Sequence, residues 1–183
     1  MDKGKCVLYS GGNTQAEVAF GNAAEKWGIT EVNYTFPGQE IERKINVTEL
    51  SNEELKRGDI SMELASKMMG RKYYNAEKIR KVLQTIFHMV NKGHQVFAIG
   101  IIQEDKTVKG GTGWAVELAK LFNRPLSVFD QGTNKWYSWL NAQWQEDSPT
   151  IKHDTFVGSG TRNLSEEGNA AIIKLFADSF GEA

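Results

Sequence analysis

Lys5-Cys6-Val7-Leu8-Tyr9-Ser10-Gly11-Gly12-Asn13-Thr14 carries a short apolar, strand-like segment straight into a glycine-rich turn. From Thr14 to Trp27 the residues Ala16, Ala19, Phe20, Ala23 and Ala24 fall on one face of a helix, which Gly28 ends. Val32 to Phe36 reads as the next strand, stopped by Pro37-Gly38, so this stretch predicts a β-α-β unit. The same succession returns twice. Gln95 to Ile102 is a near-continuous apolar run, as a central parallel strand covered on both faces requires, and the charged segment Gln103 to Lys109 leads from it into Lys109-Gly110-Gly111-Thr112-Gly113-Trp114. Thr155 to Gly158 feeds the third turn, Val157-Gly158-Ser159-Gly160-Thr161-Arg162.

The remaining segments fit between these units. Ile41 to Asn75 reads as a helical insertion, with a helix start at Leu50-Ser51-Asn52-Glu53-Glu54-Leu55 and a second helical stretch from Ile60 to Met69 that Gly70 interrupts. Ala76 to Asn91 is an amphipathic helix through Ile79, Val82, Leu83, Ile86, Phe87 and Val90. Thr112 to Phe122 follows as a helix, Leu126 to Phe129 as a strand, Lys135 to Trp144 as an aromatic-rich helix and Leu164 to Phe180 as the last helix. Alternating strands and helices predict an α/β fold, a Rossmann-like three-layer sandwich with a mostly parallel sheet, in a single domain over residues 1–183.

Composition narrows the partners. The formal net charge is −1, so no overall field draws in nucleic acid or an anionic membrane. No apolar run approaches the roughly 20 residues of a membrane span, and Met1-Asp2-Lys3-Gly4-Lys5 lacks a signal-peptide core, which points to the cytoplasm. Cys6 is the single cysteine and reads as a buried structural thiol; with His88, His94 and His153 scattered, no metal site and no cofactor is expected.

In a parallel sheet, ligands sit at the carboxyl ends of the strands, where all three glycine turns fall. Glycine admits a ligand to the backbone and the first amides of a following helix attract anions, so the turns predict a site for a phosphate-bearing, nucleotide-like molecule. Gly11, Gly12, Asn13 and Thr14, Gly110, Gly111, Thr112 and Gly113, and Gly158, Ser159, Gly160 and Thr161 would supply amides and hydroxyls, and Arg162 a fork for phosphate or carboxylate. Trp114 would either stack on a base or pack in the core; Asp130 would bind a ribose or base amino group or cap the next turn. Trp136, Tyr137, Trp139 and Trp144 form an aromatic cluster for core or dimer packing, or a platform for a base. Neither a dinucleotide-binding Gly-x-Gly-x-x-Gly nor a Gly-x-x-x-x-Gly-Lys-[Ser/Thr] loop is present, which argues against a standard nicotinamide dehydrogenase or P-loop ATPase.

Tyr9-Ser10-Gly11-Gly12-Asn13-Thr14-Gln15-Ala16-Glu17-Val18-Ala19-Phe20 resembles the Ser-Gly-Gly segment of the SLOG superfamily, the Rossmann-like group that joins the LOG phosphoribohydrolases, the DNA-processing proteins and several nucleotide-ligand sensors. Phe156-Val157-Gly158-Ser159-Gly160-Thr161-Arg162 is similar to that group's Gly-Ser-Arg element, which in most members comes first; here the order looks circularly permuted, as in uncharacterised phage-encoded proteins. Gly110-Gly111-Thr112-Gly113-Trp114-Ala115-Val116-Glu117 resembles the LOG pattern Gly-Gly-x-Gly-Thr-x-x-Glu, with Trp114 in place of threonine, and Met68-Met69-Gly70-Arg71-Lys72 resembles its Met-x-x-Arg-Lys sequence.

The resemblance implies one of two functions. The first is capture of a nucleotide-derived small molecule, an ADP-ribose-like or cyclic nucleotide signal, by a sensor or by a phage anti-defence sponge in the host cytoplasm. The second is phosphoribohydrolase activity on a nucleoside monophosphate, in which Glu117 and Arg71 would be the catalytic pair; Trp114 and the distance of Arg71 from the glycine turn depart from the enzyme pattern. The DNA-processing relatives add DNA binding as a third reading, which the near-neutral charge opposes. Relatives of this kind also imply a homo-oligomer.

Overall fold

Val7–Ser10 forms β1, Thr30–Thr35 β2 and Val47–Glu49 β3; then come Gln95–Gly100 (β4), Leu126–Asp130 (β5), Lys135–Leu140 (β6), Gln143–Glu146 (β7) and Thr155–Gly160 (β8). A computed structural model, describing Met1 to Ala183, joins all eight in one sheet in the order β3-β2-β1-β8-β4-β5-β6-β7. Every pairing from β3 to β5 is parallel, and β6 and β7 add an antiparallel edge. Helices α1 (Gln15–Trp27) and α6 (Glu166–Phe180) cover one face; α2 (Asn52–Lys56), α3 (Asp59–Met69), α4 (Glu77–Lys92) and α5 (Thr112–Leu121) lie on the other. The architecture is a Rossmann-like three-layer sandwich. No helix is long and apolar enough to cross a membrane.

Strand β4 shows why the centre is apolar throughout. All six of its residues are buried, and its successive side chains divide between the two cores: Val96 and Ala98 join α3, α4 and α5, while Phe97 and Ile99 join Phe20, Phe156 and Phe176 beneath α1 and α6. Helix α1 starts with a reciprocal cap. Thr14 Oγ1 accepts from the amide of Glu17, and the Glu17 carboxylate accepts from the amide of Thr14.

Two expectations change. Lys135 to Trp144 is not a helix but the hairpin of β6 and β7, turning at Asn141 and Ala142, whose φ angles of 51° and 58° suit a two-residue hairpin turn. Its aromatic residues alternate rather than recur at helical spacing: Trp136 joins the α1/α6 core, whereas Trp139 crosses to the opposite face and meets Trp144 with ring centroids 4.9 Å apart. The insertion from Ile41 to Asn75 is helical only in α2 and α3. Its first part lays β3 along the sheet edge, pairing Val47 with Asn33 and Glu49 with Thr35.

Candidate functional site

The carboxyl ends of β1, β4 and β8 are neighbours in the sheet, and the three glycine turns that follow them open on one cavity of about 480 Å³. Gly11, Asn13 and Thr14 line it from the first turn, Gly110, Gly111 and Thr112 from the second, and Ser159, Gly160, Thr161 and Arg162 from the third. Helix α4 closes the remaining side with Val82, Leu83, Ile86 and Met89, an apolar wall beside Tyr34 of β2. One side is therefore polar and rich in amides, the other apolar. This is the division that a ligand with an anionic group and a flat apolar body requires.

The second turn is the most open. Gly110 adopts a left-handed φ of 71° and Gly111 a right-handed conformation, with φ −61° and ψ −32°. That alternation turns successive amides inward to make a concave anion nest, and only glycine adopts the first conformation without strain. The amides of Gly110, Gly111 and Thr112 donate to no acceptor in the protein, and Thr112 begins α5, whose dipole adds positive potential at the same place. Lys109 and Arg162 line the cavity with exposed side chains that form no ion pair.

The first turn differs. Glu17 lies one helical turn beyond it, and its Oε2 accepts from the amides of Asn13 and Thr14 at 2.9 and 3.0 Å. Burial pushes the Glu17 carboxyl above its ordinary range, against the lowering effect of those amides and of Arg162. Gly12 serves the chain rather than the cavity: its carbonyl accepts from the amides of Glu42 and Arg43, each at 3.0 Å. A side chain there would strike the carbonyl of Arg43. The third turn is tied to the first, because the Thr161 carbonyl accepts from Ala16 and the Gln15 side chain accepts from the amide of Leu164. Gln131 braces it from β5 by accepting from Ser165 and donating to the carbonyl of Asn163.

Other predicted residues stand outside the cavity lining. Gly158 packs beneath Phe20, and Gly113 lies against Val108 and the Arg71 guanidinium. Trp114 is a core residue, 4% exposed and 5.8 Å from the Tyr73 ring. The Asp130 carboxylate is used locally, accepting from the amides of Ile102 and Thr133 and from the Thr133 hydroxyl. Glu117 is paired with Lys120 at 3.3 Å, under Trp139 and Trp144. Arg71 holds the segment before the second turn through Gln103, Thr107, Val108 and Gly110. The two residues that the resemblance makes a catalytic pair are thus both engaged by the protein itself.

The sequence alone does not single out Glu17, Lys109, Asn163, Tyr34, Gln39 or the α4 wall as site residues, whereas Gln131, which follows Asp130 at the ligand edge, does line the cavity. Only Glu17 carried a clear signal, the Thr14-Gln15-Ala16-Glu17 capping box, which fixes its carboxylate at the turn. Tyr34 lines the cavity, and burial pushes its hydroxyl up to about 12. Comparison with family models, with curated proteins and with solved structures finds no match to this chain.

Proposed function

We propose that the protein binds a phosphate-bearing, nucleotide-derived small molecule in the cavity between the three glycine turns, and that it captures this molecule rather than cleaving it. The observation that carries the reading is the run of three unpartnered amides at Gly110, Gly111 and Thr112, facing a cavity that also holds the unpaired cations Lys109 and Arg162. A phosphate seated there receives amides, a helix terminus and two charge-assisted partners, while the α4 wall and Tyr34 receive the base or sugar. Capture is favoured over hydrolysis because Glu117 and Arg71, which a LOG-like phosphoribohydrolase would use, are engaged in buried and loop contacts outside the cavity lining. The resemblance to nucleotide-signal sensors places sequestration of such a signal, as by a phage anti-defence sponge, within the same proposal.

Calorimetric titration with nucleoside monophosphates and with cyclic ADP-ribose isomers, followed by chromatography of the recovered ligand, tests the reading. The expected result is stoichiometric binding and release of intact ligand on denaturation. Arg162→Ala and Lys109→Ala should each weaken binding by about tenfold, the value of one charge-assisted hydrogen bond, without changing the melting temperature. Free base released at catalytic turnover, or unaltered affinity in both variants, overturns it.

A further inference from the structure

Glu17 is 6% exposed, yet the protein uses only one of its carboxylate oxygens. Oε2 takes the amides of Asn13 and Thr14, whereas Oε1 accepts from no protein donor, and the residue lines the cavity. Two amides of the first turn, those of Asn13 and Thr14, are already committed to a carboxylate built into the chain. Gly11 is fitted to that anion, since a Cβ at this position would stand 2.9 Å from Oε2.

We infer that the cavity takes a ligand with a single phosphate group, seated on the amides of Gly110, Gly111 and Thr112, and with a neutral donor such as a sugar hydroxyl turned to Glu17 Oε1, and that it selects against diphosphates. The inference rests on the phosphate-binding reading above and narrows its ligand class to monophosphates, away from the ADP-ribose derivatives, whose pyrophosphate carries two phosphates. Three turns suggest room for several phosphates, but the second alone presents three successive open amides at a helix start, and the first holds a carboxylate of the chain itself. A second phosphate reaching the first turn meets a carboxylate where it needs donors, in a buried setting that strengthens the repulsion between like charges. A hydroxyl meets an acceptor there with a free lone pair. The cations on the wall are Lys109 and Arg162, two positive charges against the roughly two negative charges of one phosphate monoester, and Glu17 opposes any further anion.

The test is isothermal titration of the whole chain with AMP against ADP and GMP against GDP, repeated on Glu17→Gln. Glutamine preserves the helix cap because its carbonyl accepts from the same amides, and it removes the negative charge. In the wild-type protein the monophosphate of a pair should bind more than tenfold tighter than the diphosphate. In Glu17→Gln that ratio should collapse to about one, chiefly by tighter diphosphate binding. Equal or tighter binding of the diphosphates by the wild-type protein overturns the inference, as does an unchanged ratio in the folded variant. The wild-type ratio can overturn it alone, so a poorly folded variant does not shield it. Wild-type protein that binds none of the four nucleotides fails the phosphate reading itself, an outcome distinct from binding both members of a pair equally.

Discussion

Arg71 Nη1 donates to the carbonyl of Gly110 at 2.9 Å, so the arginine that a LOG-like sequence pattern would assign to chemistry instead fixes the turn that opens on the cavity. Its Nη2 reaches the carbonyl of Val108 at 2.7 Å, the Gln103 side chain at 2.9 Å and the Thr107 hydroxyl at 3.2 Å. A planar fork serves all four acceptors together, which a lysine ammonium on its flexible stem does not. Arg71→Ala should therefore weaken ligand binding by about tenfold through loss of order at Gly110, and Arg71→Lys should recover little of it. Faster proteolysis between residues 103 and 110 in the variant would check the cause; unchanged affinity would dismiss it.

The Glu117–Lys120 pair makes the opposite kind of prediction. Both side chains are less than 10% exposed, and Lys120 lies 3.9 Å from the Trp139 ring and donates to the carbonyl of Lys106. Removing the cation by Lys120→Met leaves a buried carboxylate without its partner, which should cost about 3 kcal/mol in denaturant unfolding. Glu117→Gln should leave ligand affinity unchanged. A selective loss of ligand chemistry in Glu117→Gln, with stability intact, would return that residue to the site.

Arg43 ties the segment after β2 to the sheet. Its Nε donates to both oxygens of Glu31 at 3.0 and 2.8 Å, while the two terminal nitrogens reach Asn22 at 2.7 Å and Glu25 at 2.9 Å. Arg43→Ala should lower stability by about 3 kcal/mol because Glu31, 3% exposed, is left charged and unpaired. Since the Gly12 carbonyl is held by the amides of Glu42 and Arg43, the variant should also loosen the first turn, read as faster amide exchange at Gly11 to Thr14.

Acid should destabilise the fold partly through His88. Burial between Tyr34 and Phe87 holds this imidazole below its ordinary value of 6.5, with Arg57 and Lys92 acting the same way and Glu54 opposing. A histidine kept neutral by folding contributes stability above pH 6.5 that is lost as pH falls through its folded value. Unfolding free energy should drop between pH 7.5 and 5.5, and His88→Gln should make that slope shallower. His153, held low by burial and by His94, acts in the same direction, so some slope should remain. An identical slope in His88→Gln would show that the imidazole does not titrate with folding.

The parallel sheet was readable because β4 and the β1–α1–β2 unit are continuous patterns bounded by glycine and proline. The hairpin was not, because Trp136, Tyr137, Trp139 and Trp144 meet helical as well as alternating templates until the Asn141-Ala142 turn is recognised. At the site, the glycine turns announced themselves by composition. Their division of labour did not: whether an amide is open or already capped depends on a carboxylate placed by helix geometry, as with Glu17, and on partners distant in sequence, as with Arg71 and Gly110. The wall from α4 was hidden for a related reason, since Val82, Leu83, Ile86 and Met89 read as core whether the space beside them is filled or empty.

The eighth strand in chain order lies in the middle of the sheet, between β1 and β4. Without residues 155–160 the sheet is two halves, β3-β2-β1 and β4-β5-β6-β7, with a gap between them, and β1 and β4 each present an edge to that gap. Strand β8 fills that gap and carries Ser159, with Thr161 and Arg162 just beyond it, to the cavity. One segment thus both joins the halves of the sheet and completes the cavity, and a variant lacking it would lose both together.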